Sequence, residues 1–309
     1  MKMRKIMLAV AVLFLMAGCG GGTKKKASEE MTKRVNDAVE ELKYLDQIAE
    51  VLTNARVWEV QNKPRIVEMT TYISQKKVVD PAKQTELPDI PALIDPHTFA
   101  QPSAMNEADH ANLMGTVDAY YSAQQNYATK AIELSQYIAN SEYRKDRFKK
   151  GKTLVEELNA TQTTYRDQGL KAWSVLQTLQ KKSTDRMQNH PLAASYQVVA
   201  QDVFSYKIVI DLVLNYLDQE GELQEAVDQF NKSLESVYAN RMVGEEELRK
   251  AGKKQLFDTV YLELNRGYKV LKDIILALKE EKEPLSTDVE NLNKRFEAIH
   301  VAYKNFLNG

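Results

Sequence analysis

The stretch VVAQDVFSYKIVIDLVLNYL, residues 198–217, decides the fold. It is apolar nearly all round, so it reads as a helix buried in the middle of a bundle. Asp202, Lys207, Asp211 and Asn215 make it too polar for a comfortable membrane span. Its β-branched run Ile208-Val209-Ile210 suits a strand as well, but no partner strand is visible elsewhere in the chain.

Its flanks favour helix. Ala104–Asn140 contains one Gly and no Pro, with Leu113, Val117, Tyr120, Tyr121, Tyr127, Ile132, Leu134 and Ile138 on its apolar face. Tyr143–Lys182 carries Leu154, Leu158, Tyr165, Leu170, Trp173, Leu176 and Leu179. At 1.5 Å per residue each would be ~50–60 Å long. Downstream, Leu223–Arg241, Lys253–Lys279 and Thr287–Leu307 are amphipathic. The last spaces Val289, Leu292, Phe296, Ile299, Tyr303 and Phe306 at alternating steps of three and four.

Toward the N-terminus, Val35, Ala38, Leu42, Leu45, Ala49 and Leu52 form a heptad-like seam, with Asp37, Glu40, Glu41, Lys43 and Asp46 off it. This predicts a helix ending near Pro64, followed by a short helix over Val67–Val79. Pro81, Pro88, Pro91, Pro96 and Pro102 then predict a crossing loop over residues 80–103. The expected fold is therefore all-α: an elongated antiparallel bundle of long helices, one domain over 32–309, with one Pro-rich crossing loop.

Composition agrees. Among 309 residues there are only 12 Gly and 8 Pro, and 28% are charged, which suits long solvated helices rather than a turn-rich β fold. The single Cys excludes an internal disulfide framework and a Cys-based metal site. With 42 Lys+Arg against 43 Asp+Glu, no global attraction to nucleic acid is expected.

That Cys has a telling place. Lys2, Arg4 and Lys5 precede the apolar run Ile6–Met16, which is too short to span a bilayer and has the layout of a secretory signal. It ends in Leu15-Met16-Ala17-Gly18-Cys19, which resembles a bacterial lipobox, with Met16 in place of the more usual Leu. That resemblance implies cleavage after residue 18 and a lipid on Cys19, so that the membrane becomes a partner through the N-terminal lipid. Losing residues 1–18 removes three cations and leaves a mature chain of about −4. Gly20-Gly21-Gly22-Thr23 and Lys24–Lys26 read as part of a flexible tether over 19–31.

The segment Tyr143-Arg-Lys-Asp-Arg-Phe-Lys-Lys-Gly-Lys-Thr-Leu154 has a recognisable pattern. Tyr143, Asp146, Phe148, Lys150, Gly151, Lys152 and Leu154 resemble the central signature of the YiiG-like family of uncharacterised bacterial lipoproteins, a domain of unknown function. The resemblance covers residues 104–309 and is specific around 120–160. It implies a helical, lipid-anchored envelope protein and brings no activity, catalytic residue or cofactor.

Read physically, Asn140-Ser141 can end one helix and cap the next, Tyr143 can staple the corner, and Gly151 admits a neighbouring backbone. Arg144, Lys145, Arg147, Lys149, Lys150 and Lys152 outnumber Glu142 and Asp146 there. The cluster is a solvated helix corner first, and a seat for an anionic envelope polymer second.

Two Glu-x-x-His motifs, Glu107–His110 and Glu297–His300, match the spacing used in di-iron bundles. His110 lies near a helix start, and Glu297 and His300 flank the apolar stripe, so solvated faces are expected rather than a di-metal oxidase centre. No phosphate loop, His-Glu-x-x-His or G-x-S-x-G motif occurs, and no catalytic residue, metal or cofactor is expected. Lys207 and Asp211, four apart in the most apolar helix, predict an internal salt bridge. Trp58, Trp173 and the 15 Tyr read as core rather than a sugar-stacking platform. The expected role is non-enzymatic binding or scaffolding in the cell envelope, at the outer membrane facing the periplasm, with an envelope protein or anionic polymer as partner.

Overall fold

In the computed structural model, the described residues are 20–77, 87–90, 92–217, 222–282 and 286–309. They form ten α-helices and no strand. These are α1 (Gly20–Ala55), α2 (Val57–Ser74), α3 (Glu107–Ala139), α4 (Tyr143–Asp146), α5 (Lys149–Asp185), α6 (Ala193–Leu217), α7 (Leu223–Asn240), α8 (Glu245–Lys250), α9 (Lys254–Lys279) and α10 (Ser286–Asn308). A 3₁₀ turn, Pro96–Thr98, lies in the crossing loop.

The apolar residues gather in two clusters, and α1 belongs to both. Tyr44, Leu45, Ile48, Ala49, Leu52 and Ala55 pack with α2, α3 and α5. Val35, Ala38, Val39 and Leu42 pack with α6, α7, α9 and α10. The expected seam of α1 is buried throughout, but so are Val39, Ile48, Val51, Glu41 and Asp46. The two acids, read as off the seam, lie inside because α1 is covered on more than one face. As the 198–217 stretch predicts, α6 is an interior helix, packed on α5, α7, α9 and α10.

Two boundaries near the N-terminus differ from the sequence reading. α1 begins at Gly20, so most of the expected tether is helical, with Lys24–Lys26, Ala27, Glu29 and Glu30 as good helix formers. The first long helix breaks at Arg56 rather than near Pro64. Pro64 sits inside α2, where its missing N–H leaves the helix one hydrogen bond short without ending it. At the break, Arg56 N–H closes a tight turn onto Thr53 O at 3.1 Å, and its side chain leaves toward α6.

The described part of the crossing loop is pinned along α3. Leu87 N donates to Ser135 Oγ at 2.9 Å, and Tyr121 donates its hydroxyl to Ile94 O at 3.0 Å. Trp58 Nε1 holds Pro88 O at 3.1 Å. Pro81 and Pro91 lie outside the described residues.

Candidate functional site: the basic corner and the buried polar ties

The corner between α3 and α5 is built by its backbone. α3 ends in a Schellman motif: Ser141, at φ 52°, donates its N–H to Ile138 O at 2.9 Å. Glu142 N–H reaches Tyr137 O at 3.1 Å, completing the motif. Ser141 therefore closes the first helix, as the sequence reading expected, but the cap position of the next falls to Glu142, with no side-chain cap bond. After the single turn of α4, Arg147 and Phe148 both adopt left-handed conformations, φ 56° and 67°, and redirect the chain into α5. Such a conformation is uncommon for a bulky residue. It places the Phe148 ring on the buried Tyr143, with centroids 5.1 Å apart.

Asp146 ties the corner together. Its carboxylate accepts Tyr137 OH at 2.7 Å and the Lys150 N–H at 2.8 Å, acting as an anionic cap on α5. Partial burial works against ionisation. The bonds from Tyr137 and from the Lys150 and Phe148 amides outweigh it and hold the carboxyl below its ordinary range. Burial, and then the charge-assisted bond to Asp146, push the Tyr137 phenol up.

Gly151 is where α5 meets its neighbours. A Cβ there would lie 2.6 Å from Tyr137 Cε1 and 2.8 Å from Ile73 Cδ1. Tyr143, Asp146, Phe148 and Gly151 thus carry the corner's architecture. Lys149, Lys150 and Lys152 face outward with Arg144, Lys145 and Arg147, and Lys150 contacts Glu142 at 3.1 Å.

Away from the corner, buried charges tie α6 to α1, and here the expected Lys207–Asp211 bridge is replaced. Each residue turns instead to α1 or its break. Lys207, only 5% exposed, pairs with Asp46 at 3.2 Å. Asp211 pairs with Arg56 at 2.6 Å. The other Asp46 oxygen lies 3.0 Å from His300 Nδ1, and His300 Nε2 lies 3.0 Å from Glu50. Burial opposes ionisation of Asp46, but the Lys207 charge and His300 more than offset it and lower its pKa.

His300 is therefore a buried tie between α10 and α1, not a residue on a solvated face, and His110 meets Tyr44 OH at 3.0 Å. Glu107 and Glu297 stay exposed, so the two Glu-x-x-His motifs do not converge. Among the described residues, no three His, Cys, Asp or Glu gather as metal ligands.

Two more acids inside the molecule have interhelical donors. Asp202 accepts from Ser236 at 2.6 Å, Tyr261 at 2.9 Å and Asn240 at 3.1 Å, with burial raising its pKa. Glu41 receives Ser183 Oγ at 2.7 Å and the Arg186 guanidinium. Acids in the apolar helix were visible in sequence as anomalies. Their partners were not, because Asp46 and Lys207 stand 161 positions apart. Cys19 lies outside the described residues.

No protein-family model matches the chain, and no curated protein does. Among the crystal structures that resemble it are two of Bacteroides proteins. An alpha helical protein from Bacteroides fragilis superposes with a TM-score of 0.59 at 16% identity, over 87% of this chain and 98% of that one. An uncharacterised DUF3829-like protein from Bacteroides thetaiotaomicron superposes with a TM-score of 0.50 at 10% identity, over 89% and 98%. At such identities the likeness is one of fold: the all-α architecture built here around α1 and α6 is one that Bacteroides proteins also carry.

Proposed function

We propose that this protein is a lipid-anchored helical protein of the cell envelope, held at the outer membrane facing the periplasm, with a non-enzymatic binding or scaffolding role. The observation that carries this reading is the segment from Lys2 to Cys19: a basic start, a short apolar run and the chain's single Cys at the expected cleavage point. No described helix is long and apolar enough to cross a membrane, so a lipid on Cys19 would supply the attachment. Helix α1 starts at the next residue, which would put the lipid at the tip of the helix shared by both cores. Resemblance to the YiiG-like lipoproteins supports the same reading, and likeness to an uncharacterised DUF3829-like protein supports its helical fold.

Cys19→Ala tests the proposal. The variant is expected to lose labelling by an alkyne fatty-acid probe and to remain uncleaved or appear in the soluble fraction. Labelling and membrane retention equal to wild type would end the lipoprotein reading.

A second reading rests on the exposed basic side chains of the corner: it holds an anionic envelope polymer. Replacing Lys149, Lys150 and Lys152 together by Gln is expected to leave the melting temperature nearly unchanged, since exposed charges contribute little. The same variant is expected to lose salt-sensitive retention on immobilised lipopolysaccharide. Equal retention of variant and wild type would remove this reading and leave the scaffold.

A further inference from the structure

The break at Arg56 opens a cleft between α1–α2 on one side and α5 and α6 on the other. It encloses about 420 Å³ of empty space including the solvent at its mouth, of which only about 30 Å³ admits the centre of a water-sized group. That inner space suits one or two hydroxyl-sized groups, so the bulk of any occupant must lie across the rim.

The chemistry of the walls is specific. On the floor, Arg56 is held by Asp211 at 2.6 Å and reaches Asn215 Oδ1 at 3.5 Å. Beside them the Glu59 carboxylate is 5% exposed, and its Oε2 accepts no hydrogen bond although it is buried. Arg56 Nε stands 3.8 Å from that oxygen, too far for a bond. A buried acceptor without a donor is uncommon and costly, and here it belongs to a residue lining a cleft. Tyr120 and Tyr165 close the back with hydroxyls 3.0 Å apart.

At the rim, the half-buried Trp173 indole is fixed edge-on against Phe204 at 5.7 Å, and Leu170 beside it is 53% exposed. Gln162 and Arg166 extend the polar edge along α5.

Charge decides the class of ligand. The lining contains two cations, Arg56 and Arg166, and two carboxylates, Glu59 and Asp211. Such a wall attracts neither an anion nor a cation as a whole. It presents an acceptor needing a hydroxyl, planar amides that both give and take hydrogen bonds, guanidinium groups that give them, and one apolar ring edge with an exposed Leu. We infer that the Arg56 cleft binds a neutral saccharide, with one hydroxyl donating to Glu59, neighbouring hydroxyls meeting Asn215 and Gln162, and the C–H face of the ring lying on Trp173 and Leu170. This site is separate from the basic corner and stands whether or not Cys19 carries a lipid.

The test is calorimetric titration of the full chain, purified in detergent, with three disaccharide probes. These are the neutral N-acetylglucosamine disaccharide, its cationic de-acetylated counterpart and an anionic galacturonate disaccharide. The neutral probe is expected to bind about tenfold more tightly than either charged one, with an affinity that does not change with salt. Gln162→Ala and Asn215→Ala, each removing one hydrogen-bonding group, are expected to weaken it about tenfold at unchanged melting temperature. Trp173→Phe, which keeps a ring against Phe204, is expected to weaken it less than Trp173→Ala. Absence of neutral-probe binding up to about 10 mM would overturn the inference. So would preference for a charged probe, or equal binding by the Gln162 and Asn215 variants.

Discussion

Asp46→Ala is expected to destabilise the protein by about 3–5 kcal/mol, the range for removing one partner from a buried ion pair. The loss arises because Lys207 remains 5% exposed over the Phe296 ring, 5.5 Å away, with its nearest counter-charge gone. His300 loses one of its two carboxylates at the same time. If the cost is that of an orphaned cation rather than of lost attraction, Asp46→Ala combined with Lys207→Met should recover most of it.

The pH dependence has a definite sign. The native pKa of Asp46 is depressed from 3.8, so its contribution is fully present above that value and disappears as pH falls through the lower native one. Urea unfolding at neutral pH should therefore show the full gap between wild type and variant, and the gap should close in acid. A gap under about 1 kcal/mol at pH 7 would mean that Asp46 does not hold Lys207 in the way described.

Gly151→Leu is expected to cost about 1–3 kcal/mol through overpacking. The first added carbon already meets Tyr137 and Ile73 below 3.0 Å, and Tyr137 cannot swing clear without giving up its bond to Asp146. In a Tyr137→Ala background the penalty should shrink, because the space is then open. Thermal melts of the four proteins read this coupling. Additive losses would show that the ring and the glycine do not share one contact.

The parts of the fold legible in sequence were those written in local periodicity. The Leu113–Ile138 face of α3, the Leu292–Phe306 stripe of α10 and the all-round apolar character of α6 each follow from spacing alone. The first two are buried but for the half-exposed Tyr121, Ile132 and Phe296, while α6 leaves Val198, Ile208, Leu212, Leu214, Tyr216 and Leu217 only partly buried. Boundaries were less legible where tertiary contacts outweighed local preference. Pro64 reads as a helix end, yet α2 continues through it, and the true break lies at Arg56, whose side chain meets an aspartate 155 positions away. The same distance hid the charge pairing: Lys207 and Asp211 are neighbours on one helix, and nothing local says that each prefers α1 or its break. At the corner, the signature residues were visible, and Gly151 was read as a close approach to a neighbouring backbone, whereas it meets the Tyr137 and Ile73 side chains. The cap formed by Asp146 was not visible, because it depends on two consecutive left-handed residues, Arg147 and Phe148, that carry no glycine signal.

The sharing of α1 between both clusters has a consequence for the order of assembly during synthesis. The C-terminal half of α1 finds its partners in α2, α3 and α5, all made by residue 185. The N-terminal half, around Val35–Leu42, must wait for α6, α7, α9 and α10, which end at residue 308. Chains fold progressively as they emerge, and uncovered apolar surface is prone to wrong association in the meantime. One helix is thus half-housed early and half-exposed until the last segment arrives, and that late face lies toward the N-terminal end of the chain. Truncating the chain before α10 would leave an intact first core attached to a sticky, unhoused helix, so the final 23 residues act as the closing stave of the barrel for a helix made at the outset.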